Sequence, residues 1–210
     1  KNTRFYKGSF PAEYGGRLSS VVDVRMNDGN RQEYHGNSSV GLLSARANLE
    51  GPIVKDRSSF NVSVRRTWLD LITGTALAII NKNSDTKESF GYHFFDINAK
   101  VNHSFSERSR AYLSFYMGQD AFRQGSKEKH EDSDDMFLWR WGNLIGSAGW
   151  NYVFGQKLFG NLMVGYSRFR SQIRQEAKGY EIEGNRAERQ SIKRDSRYKS
   201  EMEDLSVRLS

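Results

Sequence analysis

The chain has 210 residues, of which 37% are hydrophobic and 13% aromatic, with 19 glycines, 2 prolines and no cysteine. It has no apolar run near the roughly 18 residues that a membrane-spanning helix needs, which excludes a helical membrane protein, and without cysteine it has neither disulfides nor thiolate metal sites. The net charge is +7, but acidic residues are interspersed with the basic ones, which argues against a nucleic-acid partner.

The first patterned stretch is PAEYGGRLSSVVDVRMNDG, residues 11–29. Small, turn-prone residues lead into an alternation of apolar and polar side chains, and Asn27, Asp28 and Gly29 close the stretch with a turn signal. The pattern predicts a short strand before the longer strands that follow.

From Gly36 onward, period-two alternation recurs and predicts six strands with the start of a seventh. In residues 94–105 the odd positions from Phe95 to Phe105 are mainly apolar, and the even positions from Asp96 to Ser104 are polar. The predicted strands cover residues 35–51, 58–70, 94–105, 109–118, 137–154 and 158–173, with the seventh beginning in 204–210.

The connections between these strands are predicted to alternate between short and long. An up-and-down meander would then have all its tight turns at one end and all its long loops at the other, which is the layout of outer-membrane barrels. The expected fold is all-β, an antiparallel up-and-down meander that forms part of a large transmembrane β-barrel. The short connections are 52–57, 106–108 and 155–157, and the long ones are 71–91, 119–136 and 174–203, with a short helix at Thr75 to Ile80.

In such a barrel the apolar positions face lipid and the polar positions face the lumen. Arg66 falls on the apolar side of its strand, which calls for either a β-bulge beside it or a position high enough to reach lipid headgroups. The polar residues expected to face the lumen are Arg46, Asn48, Arg65, Asp96, Asn98, Lys100 and Tyr112.

Aromatic residues near the strand ends predict two interfacial girdles. One would lie at the long-loop end and the other beside the short turns. The first set is Trp68, Tyr92, Trp139 and Trp141, and the second is Phe105, Tyr152 and Phe154.

Tyr14-Gly15-Gly16 followed by Val21, Val22 and Val24 resembles the last plug strand of TonB-dependent outer-membrane receptors, written YG...GG-V-I-N-I. Asp23 stands where that family often has Asn, and Ser19-Ser20 stand where it often has Gly-Gly. The stretch is also similar to the receptors that carry a carboxypeptidase-regulatory-like domain at the N-terminus.

The resemblance implies that residues 1–30 are the C-terminal end of a plug domain, including Tyr14, Gly15, Gly16 and Arg17. Residues 31–210 would be the first six to seven barrel strands, so that the chain is an internal fragment of a longer receptor. The implied function is energy-coupled uptake of a scarce, unidentified ligand across the outer membrane of a Gram-negative bacterium. The implied partners are outer-membrane lipid, a TonB-type energy-transducing protein that binds outside this chain, and a surface-exposed lipoprotein; no cofactor is implied.

Two groups of residues raise the question of chemistry. Ser89, His93 and Asp96 contain the residue types of a hydrolase site, but nothing marks a nucleophile. KHEDSDD at 129–135 offers oxygen ligands for a hard cation without the spacing of a calcium loop. We therefore expect neither a catalytic nor a metal site, and we expect ligand contacts from the long connections.

Two other classes of protein remain open from the sequence. A passive porin-like or adhesin-type barrel would share the meander but would not need a plug strand before it. A soluble basic β-protein that binds polyanions would be extracted without detergent.

Overall fold

The computed structural model describes residues 2–8, 20–128, 133–182 and 189–210. Its strands form two separate antiparallel sheets, one of two strands and one of eight. The small sheet pairs β1 (Asn2–Tyr6) with β2 (Val21–Arg25). The large sheet contains β3 (His35–Val40), β4 (Ser44–Val54), β5 (Ser58–Thr67), β6 (Thr86–Ser106), β7 (Ser109–Glu128), β8 (Asp134–Val153), β9 (Phe159–Ile182) and β10 (Arg189–Leu209).

Every strand of the large sheet pairs only with its neighbours in sequence, in the order β10-β9-β8-β7-β6-β5-β4-β3. The expectation of an all-β antiparallel meander is confirmed. The strands from β6 onward have 20 to 24 residues, far more than the five or six typical of globular sheets.

The single strand predicted over 35–51 is wrong, because the chain reverses at residues 41–43 to form the β3–β4 hairpin. The amide of Gly41 donates to the carbonyl of Ser44 at 2.8 Å to close this turn. All six residues of β3 are exposed, and since most are small or polar on both sides of the strand, alternation gave no sign of the reversal.

Two of the predicted long loops, 119–136 and 174–203, are also wrong, because strands occupy most of them. β7 continues to Glu128 and β8 starts at Asp134, while β9 and β10 run to Ile182 and from Arg189. Most side chains there are polar on both faces, but the backbone ladder continues because its hydrogen bonds require no apolar face.

The remaining long connection, predicted at 71–91, contains most of helix α1 (Leu69–Ile80), which is followed by one 3₁₀ turn (Asn81–Asn83). The expected helix is therefore present and begins earlier than predicted. β6 extends beyond the end of β5, and this segment covers its unpaired edge: Thr73 Oγ1 donates to the carbonyl of Phe90 at 3.0 Å, and Asn81 Nδ2 donates to that of Glu88 at 2.6 Å. Covering a strand edge in this way prevents pairing with other chains.

Among the described residues, no helix is both long and apolar enough to cross a bilayer.

The register divides the large sheet into two faces, which we name the apolar face and the polar face. One cross-strand row of the apolar face is Gly51, Phe60, Val101, Leu113, Ala148, Val164 and Val207. The neighbouring row of the polar face is Glu50, Asn61, Lys100, Ser114, Ser147, Gly165 and Ser206.

Burial across these faces is the reverse of that in a water-soluble sheet. Leu113 on the apolar face is 64% exposed, whereas Asn98 and Asn102 on the polar face are 5% and 6% exposed. Ala121 is the only hydrophobic residue in the described part of the chain that reaches the buried class. No apolar core lies within the sheet as described.

The register is unbroken at Arg66, which pairs with Phe95 as Arg65 pairs with Asp96. Of the two explanations for this arginine, the bulge is absent, and Arg66 lies on the apolar face with its Nη2 3.8 Å from Asp70 Oδ2.

Candidate functional site on the polar face

The residues after β2 lie against the polar face of β5 and β6. Lys100 Nζ is 2.6 Å from Asp28 Oδ1 and donates to the carbonyl of Met26 at 3.1 Å. Asn102 Nδ2 and Ser59 Oγ both donate to the carbonyl of Asp28, at 2.6 and 2.7 Å. Three side chains from two strands therefore hold one short stretch of backbone, and we name residues 26–31 the docked segment.

Gly29 permits this close approach. Its φ is +84°, a region that other L-residues rarely adopt, and a Cβ there would collide with the backbone carbonyl of Phe60. The turn signal in Asn27, Asp28 and Gly29 thus marks a contact between the docked segment and the sheet.

The chain then passes around the β4–β5 turn to the opposite face. The amide of Asp56 donates to the carbonyl of Arg31 at 3.2 Å, and the hydroxyl of Tyr34 donates to the carbonyl of Pro52 at 2.9 Å. The ring of Tyr34 occupies the space where a Cβ of Gly51 would lie. Residues 26–34 therefore contact the end of the β4–β5 hairpin on both faces of the sheet.

Farther along the polar face, Arg65 and Asp96 form an ion pair. Arg65 donates to Asp96 Oδ2 through Nε and Nη2, both at 2.8 Å, and its guanidinium carbon lies 4.5 Å from the centre of the Phe94 ring. Asn98 Nδ2 donates to Asp96 Oδ1 at 3.4 Å. The Asp96 carboxylate is 13% exposed, and both its oxygens have partners.

Arg46 and Asn48 extend this polar surface onto β4. Arg46 Nε donates to Ser39 Oγ, on the neighbouring strand β3, at 3.0 Å. A cavity of about 510 Å³ lies between this part of the sheet and Met26 and Asn27 of the docked segment. The structure brings together five of the seven predicted lumen-facing residues around this cavity. They are Arg46, Asn48, Arg65, Asp96 and Asn98.

The other two predicted residues, Lys100 and Tyr112, line a groove of about 1610 Å³ on the same face. Lys100 Nζ lies 4.9 Å from the centre of the Tyr112 ring. That ring covers Gly149 on the next strand and leaves no space for a Cβ there. All seven predicted residues are therefore on the polar face, and Lys100 links the sheet to the docked segment.

Beyond the docked segment, the polar face carries an aromatic cluster that we define as Tyr92, Phe94, Phe122, Trp139 and Trp141. Trp139 and Trp141 have ring centres 4.3 Å apart, and Tyr92 lies nearly parallel to Trp141 at 6.4 Å. The Tyr92 hydroxyl donates to Asp120 Oδ1 at 2.7 Å. Flat rings beside a carboxylate suit a ligand that combines planar surfaces with hydrogen-bonding groups.

The expectation that Tyr92, Trp139 and Trp141 form an outward girdle is wrong. Tyr92 shares the face of Asp96, and both tryptophans share the face of Asn143. Counting in twos from the polar residues of each strand would have shown this, so the signal was present in the sequence.

The turn-end girdle, in contrast, does lie on the apolar face. Tyr152 is 4.7 Å from Phe154 and 5.7 Å from Trp150, between ring centres. Phe105, on β6, is 64% exposed and contacts the His103 ring edge-to-face at 4.5 Å.

Ser89, His93 and Asp96 do not come together as a catalytic group. Ser89 and His93 lie on the opposite side of β6 from Asp96, and His93 Nδ1 is instead 3.7 Å from Asp70 Oδ2. Within the described ranges, no three or more His, Asp or Glu residues are grouped to hold a metal ion. Residues 129–132 of the acidic stretch lie outside those ranges.

The predicted plug-end residues Tyr14, Gly15, Gly16 and Arg17 also lie outside the described residues. No family model, no curated protein and no solved structure matches this chain.

Proposed function

We propose that this chain is part of an outer-membrane receptor for energy-coupled, TonB-dependent uptake of a scarce ligand. In this proposal β3 to β10 belong to the wall of a transmembrane barrel, the apolar face contacts lipid and the polar face lines the interior. The residues up to 30 belong to a plug, and further strands outside this chain close the barrel.

The reversed burial of the two faces supports a membrane location. Exposing rows of valine and leucine to water is unfavourable by about 25 cal/mol per Å² of apolar surface, whereas lipid tails accept them. The final ten residues of β8, from Leu144 to Val153, match the nine to eleven that a tilted strand needs to span a bilayer. The aromatic rings at the turn end of this band fit one membrane interface.

The docked segment is the observation that carries the proposed uptake function. A passive pore gains nothing from a chain held across its inner face, whereas a gated receptor needs an element that closes the path and can be withdrawn. Lys100, Asn102 and Ser59 hold this segment with a small number of polar contacts. Such contacts form and break without exposing a hydrophobic core, so mechanical force on the plug can release them.

The aromatic cluster gives the proposed receptor a first contact for its ligand. It lies on the same face as the docked segment and nearer the β6–β8 ends that carry helix α1, which the proposal assigns to the cell exterior. A ligand would meet these rings before it reached the docked segment.

Conductance across a planar lipid bilayer tests this proposal. The full-length protein should insert and carry little potassium chloride current, and a variant lacking residues 20–31 should carry a large one. Equal current from both proteins would indicate a passive porin, and a protein that stays in solution without detergent would contradict the membrane location.

A further inference from the structure

We propose that Arg123 and Arg140 on the apolar face bind a phosphorylated lipid headgroup of the outer leaflet. This inference rests on the proposed function, because it uses the membrane orientation given there. It adds a lipid-recognition site on the outside of the wall, separate from the route of the transported ligand.

The two arginines are close neighbours on adjacent strands. Arg140 pairs with Ala121, and Arg123 lies two residues farther along β7, so the two side chains are diagonal neighbours on one face. Both are exposed. Two guanidinium groups so placed repel each other unless an anion lies between them.

Helix α1 places one carboxylate beside this pair, that of Asp70, whose Cβ lies 3.7 Å from the Cβ position of Gly91. Its ion pairs are with Arg66 and His93, and no ion pair joins it to Arg123 or Arg140. The cross-strand and diagonal neighbours of the pair on this face are basic or uncharged. Within the described part of the chain, neither arginine makes an ion pair or a side-chain hydrogen bond. Those neighbours are Ser89, Gly91, His93, Gln119, Ala121, Gly125, Met136, Leu138, Gly142, Arg170, Gln172 and Arg174.

On the next two strands, β9 and β10, arginines of the same face form ion pairs with carboxylates of this chain. Arg170 is bound to Glu201, with Nε 2.5 Å from Oε1, and Arg174 is paired with both Glu176 and Asp195. The hydrogen bond from Arg197, together with Arg174, holds the pKa of Asp195 below its usual value, as expected for an ion-paired carboxylate beyond the apolar band. β9 and β10 thus supply their own carboxylates, whereas β7 and β8 leave a pair of cations without one.

The height of the pair matches a headgroup. Leu144 and Met117 end the continuous apolar part of their strands, and Arg140 lies four residues beyond Leu144, about 13 Å along the strand. Arginine side chains can reach back toward the hydrocarbon boundary while their charge contacts phosphate.

Helix α1 supports the same boundary. Its first turn lies over the apolar face, where Asp70 approaches both Arg66 and His93. Leu71, Ile79 and Ile80 of the helix are 64%, 73% and 66% exposed, so an interface rather than bulk water would suit them.

Lipid titration of the full-length protein in neutral detergent tests the inference, with binding read by native mass spectrometry. The probe is a phosphorylated glucosamine glycolipid, compared with zwitterionic phosphatidylcholine. Arg140→Gln should weaken glycolipid affinity about fivefold and Arg123→Gln with Arg140→Gln about twenty-fivefold, from about 1 kcal/mol per basic residue. Phosphatidylcholine binding should not change.

Arg110→Gln is the matched control, because it removes the same charge from the polar face of β7. If it weakens glycolipid binding as much as Arg140→Gln does, or if neither changes it, the inference is wrong. Binding of inorganic phosphate as tight as that of the glycolipid would also overturn the inference. So would a loss of affinity in the arginine variants that is the same for phosphatidylcholine as for the glycolipid. The conductance experiment separates this inference from the proposed function. If the full-length protein carries little current but gives any of these lipid-binding results, only the lipid site is contradicted and the proposed uptake function stands.

Discussion

The two faces of the large sheet are built from alternate residues of the same strands, yet over the middle of the sheet they differ in polarity and in burial. On the polar face, Asp96, Asn98 and Asn102 are buried and bonded to neighbours. On the apolar face, Leu113 and Val207 are 64% and 68% exposed and contact no other layer of the protein. This difference is the reason for our proposal that the polar side contacts the rest of the protein and the apolar side contacts lipid.

The largest expected effect comes from a charge placed on the apolar face. Leu113→Arg should lower the free energy of unfolding in lipid by about 2 to 4 kcal/mol, because the guanidinium would enter hydrocarbon. Urea unfolding of the full-length protein in vesicles measures this change.

Asn143→Arg is the control for this change, since Asn143 is exposed on the polar face of the next strand. It should cost less than about 1 kcal/mol, as surface substitutions usually do. Equal costs for the two variants would show that the faces do not differ in their surroundings.

Gly29→Ala should detach the docked segment. The left-handed conformation costs about 1 to 2 kcal/mol for a residue with a Cβ, and the collision with Phe60 adds to this cost. The measurement is trypsin cleavage after Arg25 or Arg31, which should become faster.

Gly8→Ala separates the two causes of this effect. Gly8 also has a positive φ, +75°, but nothing lies within 4 Å of its Cβ position. If Gly8→Ala accelerates cleavage at Arg25 or Arg31 as much as Gly29→Ala does, the contact with Phe60 is not what holds the segment.

A smaller effect is expected from Lys100→Met, which removes the bonds to Asp28 and Met26. The Lys100 side chain is 11% exposed but that of Asp28 is 57% exposed, so water compensates part of the loss and about 1 kcal/mol is expected. Current through a planar bilayer should show brief openings that the wild type lacks. Lys87→Met, on the exposed distal part of β6, should leave the current unchanged, and openings in both variants would contradict the role of Lys100.

The smallest effect is expected in the aromatic cluster. Tyr92→Phe removes the hydrogen bond to Asp120 and should cost about 0.5 to 1.5 kcal/mol in thermal or urea unfolding. Tyr198→Phe, at a ring that is 64% exposed, should cost nothing measurable; a Tyr92→Phe variant as stable as Tyr198→Phe would mean that the bond to Asp120 contributes nothing.

Much of the fold followed from alternation in the sequence. The faces of Ile97, Leu113 and Ala148 could be assigned because each strand has a clear apolar side there. Alternation failed in β3, in β7 beyond Gly118, in β9 beyond Ile173 and in the first half of β10, where most side chains on both sides are polar and only backbone pairing defines the strand.

The polar site was predictable in its members but not in its contacts. Arg65, Asp96 and Lys100 could be placed on one face by counting in twos. That Lys100 binds the backbone of Met26 could not be predicted, because the two residues are far apart in sequence and meet only through the path of the docked segment.

Two adjacent residues of β8 allow the surroundings of the two faces to be compared directly. These 210 residues contain no cysteine, so Asn143→Cys and Leu144→Cys each add one labelling site to them. The full-length protein is spin-labelled in vesicles after any cysteine outside these residues has been replaced by serine. We expect the label at position 144 to collide mainly with oxygen dissolved in lipid and the label at 143 mainly with a water-soluble nickel chelate. Equal access of both labels to the chelate, or the reverse pattern, would contradict this expectation.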